Sequence, residues 1–261
     1  MEMTTLASVR TLPEPGHPLA VPCTVYAPEE TTGRTPGLII HLYGASGSHT
    51  FYNLMRPAYA QLRGWLREAG YWVVVPDLGP AHWMNARAVA TLDVVIASMV
   101  AQGEVDPARV HLLGTSMGGG SALMYARQRP DVPRSVCSLF PMTDFEAWVA
   151  ETPEYLALIS QAHGLDDDNR CAALRALSPV HHGADFAKIP IYLLHGEADA
   201  IVPVHHSRDF AAALERAGGR VIYREMAGGG HDDEMAVGWQ DDIRQFILGT
   251  EAQTADNHAN H

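Results

Sequence analysis

Cysteine is scarce in this sequence. Cys23, Cys137 and Cys171 are the whole supply in 261 residues, and none belongs to a C-x-x-C pair, which excludes a disulfide framework. A reducing compartment, and hence a cytoplasmic location, is the expectation. Basic charge is also short: 18 Lys and Arg stand against 30 Asp and Glu, a net charge of −12. Such a field repels phosphate backbones, so nucleic acid is not an expected partner. No apolar run reaches membrane-spanning length, and the opening MEMTTLASVRTLPEPG has no basic segment leading into an apolar stretch of signal-peptide length. Neither membrane association nor an export signal is expected. The 23 Gly and 17 Pro are spread through the chain without repeat or low-complexity tract, so collagen-like and disordered classes fall away.

What is present is an alternation. Short β-rich runs occur at 21–26, 37–43, 71–76, 109–114, 135–140, 190–195 and 220–225, with helix-like stretches at 57–69, 86–101, 117–128 and 205–217 between them. The runs from 37 to 140 are continuously apolar, as strands buried on both faces must be. Strand and helix in turn predict an α/β fold with a mostly parallel sheet covered on both sides. One domain over residues 1–250 is expected, with a small, partly helical cap inserted at about 141–180, and a polar tail, 251–261, that frays.

The sharpest local signal is Gly114-Thr115-Ser116-Met117-Gly118, directly after the run RVHLL and before an Ala/Met/Leu helical stretch. This is the G-x-S-x-G pattern of a nucleophile held on a strained strand-to-helix turn, where glycines allow the backbone to pack closely. A serine hydroxyl needs a base, and in this arrangement acid and histidine follow the serine in chain order. Asp199, in HGEADAIVP after the run PIYLLHG, and His231, after Gly228-Gly229-Gly230, stand in that order. Taken singly, Asp199 reads equally well as a turn residue and His231 as a loop histidine. Glu197, Asp232 and Asp233 are the substitute acids. Acyl transfer also requires two N–H donors for an oxyanion. Met117 is expected to supply one and Tyr43, in the loop His41-Leu42-Tyr43-Gly44-Ala45-Ser46-Gly47, the other, with its phenol forming a wall of the pocket or bonding the substrate.

Together GTSMGG, HLYGASGS, HGEADAIVP and GGGHDDE resemble the prolyl-oligopeptidase-related and dienelactone-hydrolase-like branches of the α/β-hydrolase superfamily over roughly residues 20–248. The resemblance implies the α/β-hydrolase fold, Ser116, Asp199 and His231 as a triad, and Tyr43 and Met117 as oxyanion donors. SPVHH at 178–182 resembles the serine-peptidase branch in particular. Leu42 stands where glycine is usual, and the nucleophile is serine where dienelactone hydrolases use cysteine. The resembling span includes none of the propeller that gates large prolyl oligopeptidases, so their peptide selectivity is not implied. The expected activity is hydrolysis of a small-molecule carboxylic ester through an acyl-enzyme, with no metal or organic cofactor; peptide or amide cleavage and acyl transfer are the alternatives.

Three further residues, His82, Trp83 and Asn85, follow the run YWVVVP and stand where substrate pockets gather, or else form a helix-opening cap with a packed tryptophan. His181-His182 and His205-His206 suggest a metal at first sight. Adjacent side chains should point apart, however, and no carboxylate has ligand spacing, so surface or capping roles are expected. His258 and His261 belong to the polar tail.

Overall fold

In the computed structural model, which describes residues 7–29, 33–50 and 57–259, the chain forms an eight-stranded sheet. The strands are β1 (Ala7–Leu12), β2 (Val21–Tyr26), β3 (Gly37–Leu42), β4 (Tyr71–Pro76), β5 (Val110–Thr115), β6 (Ser135–Leu139), β7 (Ile191–Gly196) and β8 (Val221–Met226). Their spatial order is β1-β2-β4-β3-β5-β6-β7-β8; β1 pairs antiparallel with β2 and β2 antiparallel with β4, and the remaining five pairings are parallel. This is the α/β-hydrolase architecture the sequence implies. Strands β3 to β7 are buried at every position, which is why they read as unbroken apolar runs.

The sequence reading misses β1. Its residues, ASVRTL, are half polar and Val9 is 63% exposed, as suits an antiparallel edge strand held by its ladder to β2 rather than by core packing. Helices α1 (Ala60–Glu68), α2 (Ala86–Ala101), α3 (Met117–Gln128), α4 (Phe145–Glu151), α5 (Leu156–His163), α6 (Arg170–Leu177), α7 (His205–Arg216) and α8 (Gln240–Ala259) complete the molecule. Local chemistry sets several of their ends. Asn85 accepts the Ala88 N–H to open α2, Asp144 accepts the Ala147 N–H to open α4, and Gly164, with φ of 65°, closes α5. Helix α3 is buried from Met117 to Ala126 and runs through the core beneath β5 and β6.

Between β6 and β7, helices α4, α5 and α6 and two 3-10 turns lie within residues 145–186, where the cap of about 141–180 is expected. The first residues of the expected tail are helical. Helix α8 continues past Leu248 to Ala259, and Glu251 on it receives hydrogen bonds from Tyr71 and Arg109 beneath the sheet. An acid that looks solvated in sequence is drawn in by buried donors far away along the chain. The side chain of His258, and His261 altogether, lie outside the described residues. Among the described residues no helix is long and apolar enough to cross a membrane.

The strand order turns back at β3, which has β4 on one side and β5 on the other. Loops leaving the C-terminal ends of β3 and β5 therefore diverge, and the crevice between them is where such sheets place their sites.

Candidate active site

Ser116 sits between the end of β5 and the first residue of α3 with φ of 54° and ψ of −121°, a conformation that costs a non-glycine residue about 1–3 kcal/mol. Its N–H is held by the carbonyl of Leu139 at 2.9 Å. The flanking glycines are required sterically. A Cβ on Gly114 would lie 2.1 Å from the carbonyl oxygen of Gly118, and one on Gly118 would lie 2.1 Å from that of Leu42. The turn therefore closes only without side chains at both positions, and the serine between them is lifted over the sheet edge.

Asp199 follows β7 and is fixed from two sides. Its Oδ1 accepts the N–H groups of Ile201 and Val202, each at 2.9 Å, while Oδ2 accepts the Nδ1–H of His231 at 2.7 Å. The carboxylate itself is fully buried. Burial pushes its pKa up, but hydrogen bonds from His195, His231 and the Val202 N–H outweigh that and hold the acid below the usual carboxylate range. His231 arrives on the glycine loop that crosses β7 closely: a Cβ on Gly196 would lie 2.3 Å from the Gly229 carbonyl oxygen. Its Nε2 is 2.9 Å from Ser116 Oγ, placed to accept the hydroxyl proton. The ring of Phe140 meets the imidazole edge to face at 4.8 Å. The substitute acids are engaged elsewhere: Glu197 accepts the Gly228 N–H, Asp232 the Glu234 N–H, and Asp233 the Tyr59 hydroxyl.

A cavity of about 190 Å³ opens over Ser116 and His231, walled by Ala45, Phe140, Tyr155, Ile201 and Asp233. Three of these walls, Phe140, Tyr155 and Ile201, escaped the sequence reading. Phe140 ends the β6 run and Ile201 follows Asp199, so adjacency to a site strand was their available signal; Tyr155 comes from the cap, and nothing local in sequence points it at Ser116.

Met117 opens α3, so its N–H belongs to the first helical turn, where no intrahelical acceptor exists. Tyr43 directly follows β3, and its backbone carbonyl packs on the elbow: a Cβ on Gly118 would come within 2.7 Å of that oxygen. The phenol is not a wall of the cavity. Its oxygen accepts the Leu78 N–H at 2.8 Å and donates toward Asp77 and Gly79, anchoring one loop to the next.

His82, Trp83 and Asn85 are not brought to Ser116. His82 is buried and its Nδ1 accepts the Met84 N–H; burial, and then the nearby His163, push its pKa down to about 3. Asn85 is spent as the cap of α2. Trp83 is fully buried against Trp148 and Tyr155, at ring distances of 5.5 and 5.8 Å, so it reaches the cavity only through Tyr155. The capping alternative describes them: His82 Nδ1 and Asn85 Oδ1 accept N–H groups of the tight turn that leads into the helix, and Trp83 is the packed tryptophan.

His205 and His206 also correct an expectation. Their rings stack 4.5 Å apart at the start of α7 instead of pointing apart, and Glu151 at the end of α4 supplies the carboxylate that sequence spacing did not show. Glu151 Oε1 lies 2.8 Å from His205 Nε2, and Oε2 lies 3.3 Å from His206 Nε2. His206 Nδ1 accepts N–H groups of Thr143 and Asp144, so its ring proton sits on Nε2 and is donated to Glu151. That tautomer leaves His206 no Nε2 lone pair for a cation. The cluster ties the cap to α7 by hydrogen bonds.

No curated protein sequence matches the chain. Among solved structures, a puromycin-hydrolyzing peptidase of Mycobacterium tuberculosis is similar at 21% identity and a TM-score of 0.75, over 92% of this chain and 39% of the peptidase. An acylaminoacyl peptidase of Pyrococcus horikoshii is similar at 15% identity and a TM-score of 0.71, over 94% and 40%. S-formylglutathione hydrolase from Agrobacterium tumefaciens is similar at 18% identity and a TM-score of 0.75, over 94% of this chain and 95% of its own. The chain thus spans about two fifths of the peptidases and nearly the full S-formylglutathione hydrolase. At these identities the likeness carries the fold alone. The sequence of residues 88–250, however, matches the prolyl oligopeptidase family model, and this span contains Ser116, Asp199 and His231. Fold and family model meet on the same segment, and the chain belongs to the prolyl oligopeptidase family of serine hydrolases.

Proposed function

We propose that the chain hydrolyses a small carboxylic ester through a covalent acyl-enzyme on Ser116, with His231 as general base and Asp199 orienting it. The observation that carries this reading is the unbroken path from Asp199 Oδ2 to His231 Nδ1, 2.7 Å, and from His231 Nε2 to Ser116 Oγ, 2.9 Å, at the floor of a cavity. As Ser116 Oγ attacks the carbonyl, its proton passes to His231 Nε2, and the carboxylate of Asp199 stabilises the imidazolium. The oxyanion is received by the N–H groups of Met117 and Tyr43. The imidazolium then protonates the leaving alkoxide, and a water molecule deprotonated by His231 releases the acid.

The size of the cavity, about 190 Å³, favours a short acyl group or a small ring. S-formylglutathione hydrolase, of the same fold and nearly the same span, is named for a small-molecule substrate, the class proposed here. Family membership favours the second reading, cleavage of a peptide or amide bond. Rates on matched ester and amide pairs separate the two: the ester reading expects turnover of the ester with the amide at least about 100-fold slower, and comparable rates sink it. Ser116→Ala is expected to abolish both ester turnover and fluorophosphonate labelling while preserving the melting temperature within a few degrees. Retained turnover of an aryl ester by that variant removes Ser116 from the mechanism.

A further inference from the structure

Asp199 has a second imidazole beside it. His195, the penultimate residue of β7, is fully buried, and its Nε2 lies 2.8 Å from the carbonyl oxygen of Val202 and 3.3 Å from Asp199 Oδ2. A carbonyl only accepts, so Nε2 carries the proton. In the neutral ring Nδ1 is then an acceptor, and the buried hydroxyl of Ser207 on α7 lies 2.7 Å from it to donate. Val202 closes the circuit by giving its own N–H to Asp199 Oδ1.

We infer that His195 is a positioning residue for the triad acid, donating one Nε2–H across Val202 O and Asp199 Oδ2 so that the carboxylate can turn neither away from His231 nor off the 199–202 turn. The inference rests on the reading of Ser116, Asp199 and His231 as a catalytic triad. Three features carry it. The Asp199 side chain is fully buried, so no water can substitute for a lost donor. Oδ1 is occupied by two backbone N–H groups, which leaves Oδ2 as the oxygen the two imidazoles share. The Val202 carbonyl sets the tautomer that makes His195 a donor toward the acid, and Ser207 completes it by donating to Nδ1, where the opposite tautomer would set a lone pair against a carboxylate. The hydrogen bond from His195 is also the strongest of the influences that lower the Asp199 pKa against its burial.

Sharing Oδ2 withdraws some of its negative charge from His231. Losing His195 therefore turns the whole Oδ2 charge toward His231 while loosening its aim. The other titratable groups around the pair are Asp233 across the cavity and Glu225 on β8, the register partner of His195, and the variants below alter neither.

The test compares His195→Leu, which keeps bulk and removes the donor, His195→Gln, whose amide N–H can reach the same acceptors, and Ser207→Ala, which strips Nδ1 of its donor and loosens the ring without entering β7. Each is assayed on a short-chain aryl ester, with rates normalised to active sites counted by fluorophosphonate labelling. For His195→Leu the expectation is a kcat about 10-fold lower with KM within twofold, and an acidic limb of kcat/KM displaced upward by about half a pH unit. That is far short of the about 10⁴-fold lost when a triad acid no longer orients its histidine. His195→Gln restores most of both, and Ser207→Ala moves both in the same direction by less. A purely structural His195 would lower the melting temperature and the number of labelled sites but leave the limb and the per-site rate where they were; that outcome overturns the inference, as does a shifted limb in His195→Leu that Gln does not restore. If His195→Leu does not fold, an unmoved limb in Ser207→Ala overturns it. A wild-type chain that neither turns over the ester nor takes the label overturns the triad reading and this inference together, whereas an active wild type matched by the variants overturns the role of His195 alone.

Discussion

At the scale of single residues the site is governed by what has no side chain as much as by what has one. The elbow carries Ser116 at a positive φ only because Gly118 lets the Leu42 carbonyl approach to where its Cβ would stand. Backbone, unlike a side-chain tip, cannot step aside. Gly118→Ala is therefore expected to cost about 3 kcal/mol or more in urea denaturation and to abolish labelling of whatever folds, because the strand β3 loop and α3 must separate. A Gly118→Ala variant of wild-type stability would mean that the turn is looser than its geometry. The same close approach explains why Ser116 was legible from five letters of sequence: a strained turn needs a fixed local composition, and local composition is what a sequence displays. Asp199 and His231 were legible only through order and loop setting, since nothing within either loop states that the two meet. His195, Phe140 and Tyr155 were not legible as site residues. Their roles come from register and cap packing, and a buried histidine near the end of an apolar strand reads as core.

Elements explain where the reading of the cap stopped. Its helical content was visible in residues 141–180, but the way it is fastened was not, because each fastening joins distant segments. Trp148 on α4 donates its indole N–H to the carbonyl of Ile201, beside Asp199, and stacks on Tyr155 at 4.6 Å. Glu151 on the same helix receives His205 and His206 from α7. The two ties differ in burial and so in worth. Trp148 is fully buried, and Trp148→Ala is expected to cost about 3–5 kcal/mol and to widen the acyl range of the enzyme, since Tyr155 loses its support. Glu151 is 36% exposed and its pairing with His205 faces solvent, so Glu151→Ala is expected to cost under about 1 kcal/mol. Its effect should surface locally instead, as faster limited proteolysis within the cap while the global unfolding midpoint holds. Unchanged cleavage of the cap would show that the hydrogen-bonded tie adds nothing to the packing of Trp148.

Across the whole molecule, the end of the chain opposite the cleft decides a pH dependence. Glu251 on α8 reaches under the sheet to Arg109 at 2.7 Å, to the Tyr71 hydroxyl and to His111, and its side chain is only 11% exposed. Polarity alone makes the residues after Leu248 read as a tail; the partners that hold Glu251 lie on β4 and β5 and in the turn ahead of β5, more than a hundred positions earlier. Burial pushes the Glu251 pKa up, but the bonds from His111, Arg109 and Tyr71 prevail and bring it down from 4.5 to about 2. Because the folded value lies below the unfolded one, the stabilisation is complete above the unfolded pKa and is lost as pH falls through the folded one. The shift corresponds to about 3 kcal/mol, so Glu251→Gln is expected to lower stability by that order at about pH 7. The gap between wild type and variant should stay constant down to about pH 5 and then narrow as pH falls toward the folded value, because the wild type becomes neutral at that position too. Urea denaturation of both proteins across this range measures the gap directly. A gap that remained constant down to pH 3 would place the loss in packing of the helix end rather than in the charge of Glu251, and a gap near zero at pH 7 would release the end of α8 from the sheet altogether.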